Sequence, residues 1–569
     1  MQNKTPTHGL VTLALISLAL QGGIANAKPK TKSLVPSIKP VEIKPTSENS
    51  LKTTTLQATP KNEAKSTSGN TKAWTAFLDL KKKYRAGQID DDEMWAAIGK
   101  FAEEVPRQNK SQFSAILQVQ ATLLSRAKKP ILSAIYAAQT LIESPDPLDD
   151  EYKRSWVILR DVSRKQPIQN LIDVVASNTT LGDKSAPAFG SDWNYFLANA
   201  KLKQKNQVEA LALYRAVRPG DRYFLPAKFQ EAMINLDQGD HQDTIKALRT
   251  ISLSQQSANK KMTTEEYFAI QDHANMALGR VLYENRKFAE SIKHYRLVRR
   301  DGAQFYDALF EQSWALFMAG YPNHALGTIY AVRSPFFKDT FNPEATMLSS
   351  IIYYWMCRYD DSRAELAEFM TKHQGAINDL NKYLARGITD PSSYYRLFED
   401  TVSGVSSSGL GLPRELVSMA IQQDNLMFAR DQYAAVVDET QKLDANGIFG
   451  RHERTEMARK YLEKWSNILK EDIGVRLHNE MKALKSEYER LYEQAQFLYV
   501  ELLMSKKDQL LGKELHSDGK LANLSTNENI RGWSRKSQTW ASDNKQEYWA
   551  DELGFHIVRV QPLCIVKNQ

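Results

Sequence analysis

The chain has 569 residues, 42% of them hydrophobic and 25% charged, with a formal net charge of +8. That length accommodates two or more domains, and the composition is that of an ordinary soluble protein with Gly and Pro sparse over most of the chain, which favours helices. The charge excludes a basic nucleic-acid-binding surface once it is located: residues 28–73 carry nine Lys and three Glu, and the remainder of the chain is nearly neutral.

Residues 1–27 have the layout of a secretory signal peptide. Lys4 gives a weakly positive start, Leu10 to Leu20 is apolar, and Ala25-Asn26-Ala27 is a small-x-small cleavage site. The apolar run is too short to span a bilayer comfortably, though an uncleaved anchor is the alternative. No Cys stands near the cleavage site, so no lipid anchor is expected there, and no later run of 18 apolar residues follows. Residues 28–73 are rich in Lys, Thr, Ser and Pro and contain no aromatic residue. Such a segment buries too little apolar surface to offset its ordering entropy, and reads as a basic linker or tether. Its charge offers a route to peripheral membrane association.

From Trp74 onward, apolar residues recur at helical spacing in short paired stretches, which calls for a search for repeats. Aligning the compact residue that opens each second helix gives Ala210, Thr244, Ser291, Ala325 and Ser362, at intervals of 34, 47, 34 and 37. The 47 equals 34 plus an insertion of 13, for which Gln255 to Thr264 is the polar candidate. Ala134 and Leu171 are weaker upstream candidates. Turn residues fall between the paired helices at Lys205-Asn206, Gly239-Asp240, Asn285-Arg286 and Gly320-Tyr321-Pro322.

On these residues the chain resembles the tetratricopeptide repeat family. Leu278-Gly279, Leu282, Ser291 and Tyr295 match its large, small and aromatic positions, as do Leu197-Ala198, Ala210, Tyr214 and Pro219. The resemblance covers about 110–372 and is good over 190–372, with 74–189 divergent. It implies an all-α fold, an α-α superhelix (solenoid) whose concave face grips peptide segments or partner domains. Polar residues in the register of that face are Asn194, Lys201, Asn235, Asn275 and Gln312.

Residues 373–452 break the period, with a Gly/Ser loop from Ser403 to Pro413 between helices expected at 392–402 and 413–443. A long helix is expected over 453–511, with Gly474 its weak point. Leu477, Met481, Leu484, Tyr488, Leu491, Ala495, Leu498 and Leu502 form a coiled-coil-like heptad seam, for a helix of this chain or for a partner. The last residues are aromatic (Trp533, Trp540, Tyr548, Trp549, Phe555) and lead into Ile557 to Val560, a candidate short strand. This tail reads as a small aromatic cap or as a docking peptide. Tyr548-Trp549-Ala550-Asp551-Glu552-Leu553-Gly554 is similar to the ending of repeat proteins associated with gliding motility in delta-proteobacteria, which implies a periplasmic or outer-membrane-associated place in an envelope machine.

The two cysteines, Cys357 and Cys564, either form one disulfide or leave Cys357 as a buried thiol. Two Cys fit no zinc spacing, and the ten His show no i, i+4 pair. Asp90 to Glu93 and Asp149 to Glu151 lack a calcium loop and read as helix N-terminal charge. The Gly404 to Gly411 loop carries neither a phosphate-binding nor a nucleophile-elbow pattern. No catalytic residue, metal or cofactor is therefore expected. The function expected is an exported scaffold binding other envelope proteins or peptide segments. The rival is a cell-wall-acting enzyme of lytic-transglycosylase type, for which Glu399 or Glu415 would be the candidates.

Overall fold

The computed structural model describes residues 67–105, 109–144, 146, 149–178, 190–337, 340, 342–404, 412, 414–421, 424–445, 453–511 and 553–564. The signal-like segment, nearly all of the basic linker, and Trp533, Trp540, Tyr548 and Trp549 lie outside these residues. The described chain is all-α, with 20 α-helices and no strand. No described helix is long and apolar enough to cross a membrane.

In chain order the helices are α1 (Thr67–Arg85), α2 (Asp91–Glu104), α3 (Lys110–Arg126), α4 (Pro130–Glu143), α5 (Asp150–Ser163), α6 (Gln169–Asn178), α7 (Ser191–Lys203), α8 (Gln207–Arg215), α9 (Phe224–Asp237), α10 (His241–Ser252), α11 (Thr264–Glu284), α12 (Phe288–Tyr295), α13 (Phe305–Met318), α14 (Pro322–Val332), α15 (Pro343–Trp355), α16 (Tyr359–Ala385), α17 (Pro391–Val402), α18 (Arg414–Ile421), α19 (Asp424–Ala445) and α20 (Glu453–Leu510). The described residues belong to two compact units, one taking those within 67–227 and 424–476, the other those within 228–421 and 477–564.

The local chemistry repeats. Lys128, Lys205, Gly239, Arg286, Gly320 and Cys357 all adopt the left-handed conformation just after a first helix. From Lys205 onward they are spaced 34, 47, 34 and 37 apart, the interval series of the small residues. At each turn the left-handed residue donates its N–H back to a carbonyl three residues earlier, and the next residue reaches back five, as in Lys287 N to Leu282 O at 2.8 Å. This is the Schellman arrangement that satisfies the carbonyls orphaned at a helix end.

Five residues after each turn stands a small side chain: Ser133, Ala210, Thr244, Ser291, Ala325 and Ser362, all 0% exposed. Twelve residues before each of these, on the facing helix, is Ala121, Ala198, Ala232, Gly279, Ser313 or Ser350. Small faces small, so the two backbones come close enough for a hydroxyl to reach the opposite carbonyl. Ser291 Oγ donates to Gly279 O at 2.7 Å, Ser362 Oγ to Ser350 O at 2.8 Å and Thr244 Oγ1 to Ala232 O at 3.4 Å. A Cβ on Gly279 would stand 2.5 Å from the Tyr295 ring. Ser133, not Ala134, holds this place upstream; both are fully buried, so composition could not separate them.

Several sequence boundaries shift. Helix α1 begins at Thr67, inside the expected linker, and α16 runs through the expected break at 372/373. The single helix expected over 413–443 is two, α18 and α19. The insertion near Gln255 is a short 3-10 turn, Gln256–Ala258, followed by the capped start of α11 at Thr263. The long helix is continuous past Gly474.

In the first unit the core joins Phe77, Trp95, Ile116, Leu132, Trp156 and Trp193 to Val436, Leu443, Leu462 and Leu469 from α19 and α20. Trp156 and Trp193 meet edge to face at 4.6 Å. In the second unit every residue of the expected seam is buried. Its distal part, Leu491, Ala495, Leu498 and Leu502, packs on Met347, Tyr354, Tyr359, Leu366 and Phe369 of α15 and α16.

Candidate functional site

The five residues placed in the register of a binding face do not converge. Asn194 and Lys201 are on α7 and partly exposed, with Lys201 Nζ paired to Glu209 Oε2 at 2.7 Å. Asn235, Asn275 and Gln312 are buried, at 4%, 5% and 2% exposure. Asn275 Oδ1 accepts from Ser252 Oγ at 2.7 Å and lies 3.1 Å from His294 Nδ1. These three polar groups sit inside the helix packing, where a partner does not reach them without rearrangement.

The structure instead gathers charge on the first helices of three successive hairpins in the second unit. Arg280 of α11 makes a two-pronged pair with Glu311 of α13, its Nε lying 2.8 and 3.1 Å from the two carboxylate oxygens. Its side chain is 10% exposed. Burial works against the Arg280 charge, but Glu311 outweighs it and holds the guanidinium above its ordinary range. Glu344 at the start of α15 is half-buried beside this pair. Burial and the neighbouring Glu487 of α20 push its carboxyl up to about 7, against the pull of Arg490. Tyr295 is buried between Gly279 and Glu311, and burial raises its hydroxyl well above the usual range. Sequence reading missed this cluster. The available trace was charge recurring on apolar first helices at near-repeat intervals, 31 from Arg280 to Glu311 and 33 from there to Glu344.

A second gathering is an extended segment, residues 553–564, seated across α13, α14 and the α15–α16 turn. Cys357 and Cys564 form the disulfide. Ile557 enters the core beside Leu309, Leu326 and Ile329. The segment forms no strand: the surface beneath it is helical and offers no strand edge with which a ladder could form. Three described histidines, His324, His373 and His556, are pushed down to about 4 by burial. Because the unfolded value is near 6.5, these groups contribute stability above that pH and lose it as pH falls toward 4. A chain labelled with 15N-histidine should therefore show at least three neutral imidazoles at pH 5 by NMR, where an exposed histidine is almost fully protonated.

Among the described residues no group of three His, Cys, Asp or Glu side chains is placed to hold a metal ion. Glu399 is exposed on α17, and the side chain of Glu415 lies outside the described residues. The arrangement of Arg280, Glu311 and Glu344 is one of ion pairing and hydrogen bonding between packed helices. No protein-family model matches the chain, and no curated protein matches it.

Proposed function

We propose that this chain is an exported scaffold of the bacterial cell envelope, a tetratricopeptide-like helical solenoid that binds other proteins or their peptide segments. The observation that carries this reading is the repeated hairpin. Six left-handed turns stand in one register, each followed five residues later by a fully buried small side chain. A row of equivalent hairpins buries apolar faces only between neighbours and leaves an extended surface for binding. Export to the periplasm rests on the signal-like residues 1–27 and on the disulfide, which suits an oxidising compartment, whereas association with the outer membrane rests on the resemblance of the tail. A role in a motility or envelope-assembly machine rests on the tail resemblance alone.

The test is affinity capture with the mature full chain as bait from an envelope extract, paired with zymography on purified cell wall. The scaffold reading expects a stoichiometric protein partner, no clearing of the wall, and a mature N-terminus at Lys28. Wall clearing that is lost on changing Glu399 or Glu415 would replace it with the enzyme reading.

A further inference from the structure

The segment 553–564 is held by contacts that fit an extended chain specifically. Phe555 lies under the guanidinium groups of Arg296 and Arg300, at 5.4 and 5.2 Å. His556 crosses α14 where Gly327 removes the side chain: a Cβ there would stand 2.0 Å from the His556 carbonyl oxygen. Ile557 is 6% exposed in its pocket. Val558 N donates to Asn323 O at 3.0 Å, and Val560 N to Asn323 Oδ1 at 3.4 Å. Further on, Arg358 donates to Gln561 O at 3.2 Å and Leu563 N to Met356 O at 2.9 Å. The contacts alternate between backbone and side chain along the segment, as in recognition of an extended peptide.

Gly327 is the informative residue. A glycine in the interior of a helix lowers helix stability relative to Ala. Helix α14 therefore carries a local cost at the one place where a crossing chain needs the room.

We propose that the surface formed by α13, α14 and the α15–α16 turn is an acceptor groove for an extended peptide, and that residues 553–564 are its displaceable resident, latched by the Cys357–Cys564 disulfide. The matching ligand has a branched apolar residue for the Ile557 pocket, free backbone N–H groups for Asn323, and a thiol seven residues beyond the apolar one. This goes beyond the scaffold reading, because occupancy of the groove does not depend on what the rest of the array binds. Opening the latch is a thiol exchange with a dithiol reductant. Cys357 is fully buried and Cys564 partly exposed, so the attacking thiolate reaches the Cys564 sulfur. The S–S bond breaks, Cys357 leaves as a thiolate and takes a proton, and the second thiol of the reductant resolves the mixed disulfide. The products are two protein thiols and one oxidised reductant.

The test uses the full chain carrying Cys564→Ser, whose only thiol is Cys357. It is mixed with a synthetic peptide of residues 553–564 whose cysteine is activated as a pyridyl disulfide, and the adduct on Cys357 is followed by mass spectrometry. The expected result is capture at least about ten-fold faster than with the Ile557→Asp peptide, since burial of an Ile side chain is worth that factor or more. Adding Gly327→Ala to the protein should abolish the preference while leaving the helical circular-dichroism signal unchanged. In the wild-type chain, dithiothreitol should speed amide exchange at Val558, Val560 and Leu563. Absence of an adduct, equal capture of both peptides, or an undiminished preference in the Gly327→Ala chain would each overturn the proposal.

Discussion

Replacing Glu311 by Ala should destabilise the protein by about 3–5 kcal/mol, the penalty for leaving one member of a buried ion pair unpaired. Arg280 is the reason. Its side chain is 10% exposed and directed at the Glu311 carboxylate, which outweighs Asp307 among the carboxylates that favour its charge. The attraction itself is not what the number measures, because two charges removed from water lose much of their hydration. The double replacement Arg280→Met, Glu311→Leu should therefore recover most of the loss. Urea denaturation of Arg280→Met, Glu311→Leu and the double variant closes the cycle. A loss below about 1 kcal/mol for Glu311→Ala, the range of exposed pairs, would show that water reaches Arg280.

Glu439→Ala should cost about 2–4 kcal/mol, from the desolvation penalty of two buried donors left without acceptors. Helix α4 begins with Lys129 as N-cap, which makes no side-chain cap bond, and Pro130 at its first position. Its next two N–H groups, of Ile131 and Leu132, donate instead to the two oxygens of Glu439 on α19, each at 2.7 Å. A carboxylate from a distant helix thus does the work of a capping side chain and meets the positive end of the helix dipole. Burial pushes the Glu439 carboxyl up to about 7, although both N–H bonds and Lys129 favour its charged form. A raised folded-state value makes this carboxyl cost stability above pH 7, and that cost is relieved as pH falls toward the unfolded value. Glu439→Gln should remove this part of the pH dependence between about 4.5 and 7, measured as urea midpoints across that window. An unchanged slope would place the titration elsewhere.

The difference between what the sequence disclosed and what it hid follows from the range of the interactions. The intervals 34, 47, 34 and 37 were legible because turn and small residue lie five apart in the same hairpin, and the small partner only twelve away. Glycine alone would not have found the turns, since four of the six left-handed positions are Lys128, Lys205, Arg286 and Cys357. The heptad seam was legible from periodicity, but its neighbours on α15 and α16 were not. Interactions closed over long separations left no local trace. Glu439 is 308 residues from Ile131, and Cys564 is 207 from Cys357. The burial of three of the five binding-face residues was hidden for a related reason. Asn235, Asn275 and Gln312 occupy first-helix positions that a concave face also uses, and only packing shows that these three point into the protein.

The account stands on hairpins drawn together by small side chains, and hairpin α11–α12 tests it within two adjacent positions. Ser291 is fully buried against the Gly279 carbonyl, whereas Glu290 beside it is exposed and paired with Arg249 at the surface. Leucine is a better helix former than serine, so propensity alone would favour Ser291→Leu. The measurement is the urea midpoint of Ser291→Leu against that of Glu290→Leu. The account predicts a loss of at least about 1–3 kcal/mol for the first, from overpacking, and less than about 1 kcal/mol for the second. Equal midpoints, or the larger loss at Glu290, would contradict it.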